Sequence, residues 1–416
     1  MNTSSASPQE IKELDQSDPL SAKRGEFLIP ADIIYLNGNS LGPLTKNSQQ
    51  RAQEVVQEQW GKDLIASWNT HAWIDLPFTA GEKIAKLIGA AQQQLVCCDS
   101  VSINLLKVLA SALQMQPSRN LILSQEDNFP TDLYVAQGLE TLLGAARCKV
   151  KTVAEPDLAQ ELDEDVAVLL LTQVNFRNGD KHDIERLTSM AKARGILVVW
   201  DLSHSVGVLP LQMDKWEVDF AVGCGYKYLN GGPGAPAFIY ANKKHHEAIK
   251  QPIQGWMGHR EPFTFDPDYK NAAGMAQFLT GTPPILSLAV MDSALDVFAD
   301  ITVTDISRKA NALAELFLDL VKDDEDLHSL TLESKADSAF RGAQLAFSHP
   351  DAYGICRALN KASVVVDFRS PNIVRFGFSP LFLRFEDIWR ATQIIKKIVK
   401  EKTYLADEFS LRLKVT

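Results

Sequence analysis

The five cysteines of this 416-residue chain, Cys97, Cys98, Cys148, Cys224 and Cys356, are odd in number and show no C-x-x-C spacing. The signatures of a structural zinc site and of a disulfide framework are both missing, so free thiols in a reducing cytoplasm, and no metal, are expected. Positive charge is also short. Lys and Arg number 42 against 52 Asp and Glu, a formal net charge of −10, which repels nucleic acid and anionic membranes. An anionic ligand then needs a local cluster of donors. No apolar run reaches the roughly 18 residues of a membrane span. The N-terminus, MNTSSASPQEIKELDQSD, has no apolar signal-peptide core. Internal repeats and low-complexity tracts are absent. GGPG at 231–234 is not followed by Gly-Lys-Ser/Thr, so a P-loop reading fails.

What is present suits a globular protein: 45% hydrophobic and 23% charged residues. The length suggests two domains. Residues 1–30 read as a solvated arm leading to IIYLNGNSLGPL, a short strand and an Asn/Gly-rich turn. TKNSQQRAQEVVQEQW and FTAGEKIAKLIGA read as helices. From about 100 to 242 strands and helices alternate, and several strands (VAVLLLTQV, ILVVWD, DFAVGCG, APAFIYAN) are continuously apolar. Burial on both faces, in a mainly parallel sheet flanked by helices, is the expectation. Beyond about 300 a long amphipathic helix (DISRKANALAELFLDLVKDD) precedes strands AQLAFSH, SVVVDF and IVRFGF and a closing helix, a smaller α+β C-terminal domain. The division expected is 1–60, an N-terminal arm and helix packing with the small domain; 61–300, the large domain; and 301–416, the small one.

In such a sheet, ligands sit at the carboxyl ends of the strands. Thr172 falls near the end of VAVLLLTQV, Asp201 ends ILVVWD with His204 after it, and Lys227 follows DFAVGCG between Tyr226 and Tyr228. A helix starting at Ser102 offers its N-terminus to a phosphate. Phe129, in NFPTDLY (128–134), can stack on a flat ring, with Asp132 close by. Taken singly, an Asp at a strand end is usually a cap, a lone His a satisfied core residue and a lone Phe packing. The ordered set Asp201, His204, Lys227 is more specific. It suits pyridoxal phosphate, whose aldehyde needs a lysine amine and whose ring nitrogen needs a carboxylate to stay protonated.

The chain resembles the kynureninases, fold-type I pyridoxal-phosphate enzymes of the aminotransferase superfamily. The resemblance rests on YLNGNSLGPL (35–44), SWNTHAW (67–73), NFPTDLY, WDLSHSVG (200–207), GCGYKYLNGGPG (223–234), GWMGH (255–259), LTGTPPILSL (279–288) and IVRFGFSPLF (373–382), in the family's order along nearly the whole chain. It implies hydrolysis of the Cβ–Cγ bond of kynurenine or its 3-hydroxy form by a cytoplasmic homodimer with shared active sites. Lys227 is implied as the Schiff-base lysine, Asp201 as the partner of the pyridine nitrogen and Tyr226 as a proton donor. Phe129 would stack on the ring, with Pro130, Thr131, Asp132 and Thr172 near it. Val101, Ser102, His204 and Tyr226 would serve the phosphate. Trp256 and Thr282 would reach the neighbouring subunit's phosphate, Arg375 would clamp the substrate α-carboxylate, and Trp68 and His259 would line the aryl pocket.

The chain departs from common family residues at Val101, Gln173, Cys224 and Met257, and the preferred ring substituent stays open. Another fold-type I enzyme, a cysteine desulfurase or a small-amino-acid aminotransferase, is the rival. A desulfurase needs a cysteine on a mobile loop, whereas Cys356 lies in DAYGICRALNK, which reads as a helix. A non-catalytic phosphate-ligand protein has no need of the Schiff-base lysine.

Overall fold

In the computed structural model, which describes residues 7–414, the expected solvated arm contains a docked helix; residues 1–6 of that expectation lie outside the described residues. Helix α1 (Pro8–Ser17) starts with a reciprocal cap, Ser7 Oγ accepting from the Glu10 N–H and the Glu10 carboxylate accepting from the Ser7 N–H, and has proline at its first position. Its single buried side chain is Ile11, too little apolar surface for hydropathy to reveal. Strand β1 (Ile34–Tyr35) and helix α2 (Lys46–Glu54) follow. The single helix expected from 45 to 60 instead widens after Glu54 into a π-helical stretch, Val55–Asp63. The short α3 (Ser67–Thr70) and the longer α4 (Leu76–Leu87) lead into the main sheet.

That sheet has seven strands: β2 (Leu95–Cys97), β3 (Leu121–Gln125), β4 (Lys149–Val153), β5 (Val166–Thr172), β6 (Leu197–Asp201), β7 (Phe220–Cys224) and β8 (Ala237–Ala241). Their order is β2-β8-β7-β6-β5-β3-β4. Strand β8 runs opposite to the other six, which are mutually parallel. Every residue of β5, β7 and β8 is buried, as their unbroken apolar runs require, whereas edge strand β4 alternates. Strand β2, in QLVCC, is an element that sequence reading passed over; three residues carry too little pattern. Helices α5 (Val101–Met115), α6 (Pro130–Leu143) and α7 (Ile184–Lys192) connect the strands. Helix α5 starts one residue before the expected Ser102, because Ser100 caps it by accepting from the Ile103 N–H.

After α8 (Ile285–Ala294) and the amphipathic α9 (Val303–Lys322) comes a four-stranded antiparallel sheet of β9 (Thr331–Leu332), β10 (Gln344–Ser348), β12 (Asp367–Arg369) and β13 (Ile373–Gly377), in the order β12-β13-β10-β9. Helices α10 (Ala352–Lys361) and α11 (Phe385–Lys400) belong to the same region. The one strand expected from SVVVDF is two. Its first part, β11 (Val364–Val365), pairs in parallel with β1, and β12 then turns to β13. Partners distant in sequence decide that split, and no local propensity records it. Among the described residues no helix is long and apolar enough to cross a membrane.

Candidate active site

Strands β3, β5, β6 and β7 are parallel, so their carboxyl ends share one edge of the sheet. Thr172 and Asp201 are register partners at the ends of β5 and β6. The turn after β7 carries Tyr226 and Lys227, and the turn after β3 carries Phe129 into α6. These segments and the N-terminus of α5 enclose a cavity of about 530 Å³. Ten of the expected residues line it: Val101, Ser102, Phe129, Thr131, Asp132, Thr172, Asp201, His204, Tyr226 and Lys227.

Hydrogen bonds fix the polar groups. Asp201 Oδ1 accepts from the Ser203 N–H at 2.7 Å, and the Ser203 hydroxyl accepts from the Cys224 N–H at 3.2 Å, tying the end of β6 to that of β7. Thr172 donates its hydroxyl to Asp132 Oδ2 at 3.0 Å and its N–H to Asn128 Oδ1 at 2.9 Å. Lys227 Nζ lies 2.8 Å from His204 Nε2. Burial sets the electrostatics. It raises the carboxyl of Asp132 well above the ordinary carboxylate value, with the charge of Asp201 adding to it, and it raises Asp201 as well. Burial likewise depresses the Lys227 amine, and with the nearby Lys227 charge it keeps His204 neutral.

Six expected residues do not line this cavity. Pro130 is the first residue of α6, between two that do. Trp68, on α3, packs edge-on against Trp73 at 5.9 Å. Trp256 and His259 border a separate, smaller cavity of about 220 Å³. Thr282 is exposed in the turn before α8. Arg375, on β13, is buried and bonded to Asp367 through Nε at 2.8 Å and Nη2 at 2.5 Å.

Sequence reasoning missed Asp99, Ser100 and Ser203 on the cavity wall and Asp367 behind Arg375. Ser100 had a signal, a cap residue just ahead of an apolar helix. Asp99 had none: its partner is the wholly buried Lys107 of α5, at 2.5 Å. Cys356 is buried on α10, which gives the desulfurase rival no loop nucleophile.

The fold matches solved structures of low identity. One is a cysteine desulfurase from Thermococcus onnurineus NA1, with a TM-score of 0.75 and 18% identity over 94% of this chain and 98% of that one. Another is a mutant of C-DES with glycine covalently linked to its PLP cofactor, with a TM-score of 0.79 and 16% identity over 90% and 98%. Sequence relatives are far nearer. A kynureninase of Burkholderia mallei (strain SAVP1) is 43% identical over 98% of this chain and 99% of its own length. A Pseudomonas fluorescens kynureninase is 42% identical over 97% and 98%. Residues 306–395 match the family model described as the kynureninase C-terminal domain. With this identity sustained from end to end, the chain belongs to the kynureninase family.

Proposed function

We propose that the chain hydrolyses the Cβ–Cγ bond of L-kynurenine, 3-hydroxy-L-kynurenine or both, giving anthranilate or 3-hydroxyanthranilate and L-alanine, with pyridoxal phosphate as cofactor. The observation that carries this reading is the meeting of Asp132, Asp201 and Lys227 in one cavity of a chain that aligns throughout with kynureninases. The residues fit the cofactor. Among the described residues no side-chain or backbone donor reaches the buried Asp132 Oδ1, which lies beside Asp201. The depressed amine of Lys227 suits attack on an aldehyde. The N-terminus of α5 at Val101 and Ser102 provides N–H groups for a phosphate.

When bound, the cofactor supplies an electron sink for chemistry at the substrate's α-carbon. The protein's part is positional and protonic. Asp201 would hold a proton on the ring nitrogen through charge and hydrogen bonding. Phe129, Thr131 and Thr172 line the cavity and would hold the ring. Lys227 takes the Cα proton at Nζ, with His204 Nε2 keeping the amine in place. Tyr226 retains its phenolic proton because burial raises its pKa, the neighbouring Cys224 and Asp201 adding to the effect, so it can donate from Oη. Arg375 binds the α-carboxylate. Trp68 and His259 bound the aryl ring, and Trp256 and Thr282 complete the phosphate site of a second copy in a cytoplasmic homodimer. Residues 61–300 form the cofactor-binding domain and 301–416 the small domain; of residues 1–60, α1 and β1 pack against the latter, whereas α2, expected there too, packs on α8 of the large domain, with Ser48 Oγ donating to the Val290 carbonyl at 3.1 Å.

The test is anthranilate fluorescence from kynurenine after loading with pyridoxal phosphate, with sulfide release from cysteine measured in parallel. Kynurenine turnover without sulfide release is expected. Lys227→Ala should lose the cofactor's absorbance band and turnover together, and turnover at the parent rate would remove Lys227 from its role.

A further inference from the structure

Arg375 has more partners than a substrate clamp needs, and they divide into two kinds. Its guanidinium has five N–H donors in one plane. The Nε/Nη2 edge is closed by Asp367, the cross-strand neighbour of Arg375 in the β12–β13 register, with Nε to Oδ1 at 2.8 Å and Nη2 to Oδ2 at 2.5 Å. Among the described residues the remaining edge meets neutral acceptors alone, the Ser40 hydroxyl at 3.0 Å from Nη2 and the Phe176 carbonyl on Nη1.

Both neutral acceptors come from segments that border the Lys227 cavity. The Phe176 ring packs edge-on against Phe129 at 5.2 Å. The loop that carries Ser40 donates the Gly42 N–H to the Tyr226 carbonyl at 2.8 Å. The edge of Arg375 capped by neutral groups is therefore the one nearer the chemistry. A carboxylate displaces a carbonyl or a hydroxyl from a guanidinium favourably, because its hydrogen bonds are charge-assisted. Asp367 is not displaced so easily. It is 1% exposed, held in strand register, and bonded also to Ser40 and, at 3.0 Å, to Arg369. Two guanidinium charges against one carboxylate leave this cluster with a single positive charge. Without Arg369 an incoming carboxylate would meet a neutral pair.

We propose that Asp367 is a positioning residue that locks one edge of Arg375 and presents the other to the substrate's α-carboxylate, while Arg369 leaves the cluster net positive. This rests on Arg375 being the carboxylate clamp, and the test separates the two ideas. In the loaded enzyme, KM and kcat for kynurenine are measured for Asp367→Asn, Asp367→Glu, Arg369→Gln, Arg375→Ala and the Asp367→Asn/Arg375→Ala pair. The inhibition constant of kynuramine, which keeps the aryl ketone and amine but lacks the carboxylate, is measured alongside.

Asp367→Asn should raise KM about tenfold or more with kcat within about threefold, the pattern of lost binding of an unreacting group. Kynuramine inhibition should not change, and Asp367→Asn should add nothing to Arg375→Ala. Asp367→Glu should recover part of the loss. Arg369, with a side chain 31% exposed, tolerates replacement, so Arg369→Gln carries the test if Asp367→Asn does not fold; its KM should rise severalfold. If Asp367 served only to neutralise charge, its removal would lower KM, and an unchanged or lower KM beside an impaired Arg375→Ala overturns the proposal. An Arg375→Ala enzyme with the parent KM would instead overturn the clamp itself.

Discussion

Asp219 shows how one residue can fasten the end of the sheet away from the chemistry. It sits just before β7, and its Oδ2 accepts from the Val198 N–H on β6 at 3.0 Å. Its Oδ1 meets His245 Nε2 at 2.7 Å and Lys244 Nζ at 2.8 Å, just beyond β8. Burial alone pushes this carboxyl up, but the bonds from His245 and Lys244, the Lys244 charge and the Val198 N–H carry it below the ordinary 3.8. A lowered folded-state pKa stabilises the protein above pH 3.8, and that contribution is lost as the pH falls through the lowered value. Asp219→Asn should therefore cost about 1–3 kcal/mol at pH 7, with the gap to the parent protein narrowing below pH 3.8. Urea unfolding across that range measures it, and a gap that does not vary with pH would count against the ionised carboxylate. Asp219 gave no sign in the sequence beyond being an acid before an apolar strand. Asp201 was legible because it ends one.

Among the elements, α1 is tied to α11 by a cap supplied in trans. Asp15 accepts from the Phe385 N–H at 2.8 Å through Oδ1 and from the Glu386 N–H at 3.0 Å through Oδ2, at the start of α11. Those are N–H groups that no carbonyl within the helix can satisfy. Asp15→Ala should lower stability by about 1 kcal/mol and leave kcat unchanged, since Asp15 lies outside the cofactor cavity; denaturant midpoints and steady-state rates check both. A loss as large as a deleted core side chain would mean that α1 does more than cap. The contrast with other elements explains what the sequence could reveal. Helices α5, α9 and α11 carry apolar faces, and strands β5 to β8 are apolar runs up to the Thr172 and Asp201 that end β5 and β6, so their own residues announce them. For α1, β2 and the β11–β12 split, the deciding contacts lie in other segments. The same division runs through the site. Asp201, His204 and Lys227 follow from the strand-end rule, whereas Asp367 meets Arg375 only through the β12–β13 register and Ser40 only after a segment 335 residues away has folded against it.

Across the whole molecule, Trp256, proposed above for a second copy's phosphate site, lies in an uncovered apolar surface. Trp256, Phe263 and Phe265 pack on one another, with Trp256 edge-on to Phe263 at 5.7 Å and stacked on Phe265 at 6.4 Å. They are nevertheless 41%, 64% and 75% exposed. Three large exposed rings in one loop form the kind of contiguous apolar patch that marks a binding surface. Trp256 is also a residue assigned above to a second copy's phosphate site, and within its own chain it stays outside the Lys227 cavity. If the patch is where two copies meet, association and cofactor binding are linked, because each phosphate site is finished only by the other protomer. Replacing Phe263 and Phe265 together by Asp should then shift sedimentation toward the monomer. It should weaken pyridoxal-phosphate affinity about tenfold or more and make turnover depend on protein concentration, with the fold by circular dichroism unchanged. A double variant that stays dimeric and keeps the parent affinity would place the interface elsewhere and remove Trp256 from the shared site. A monomer with full affinity would show instead that the residues of one chain suffice to hold the phosphate.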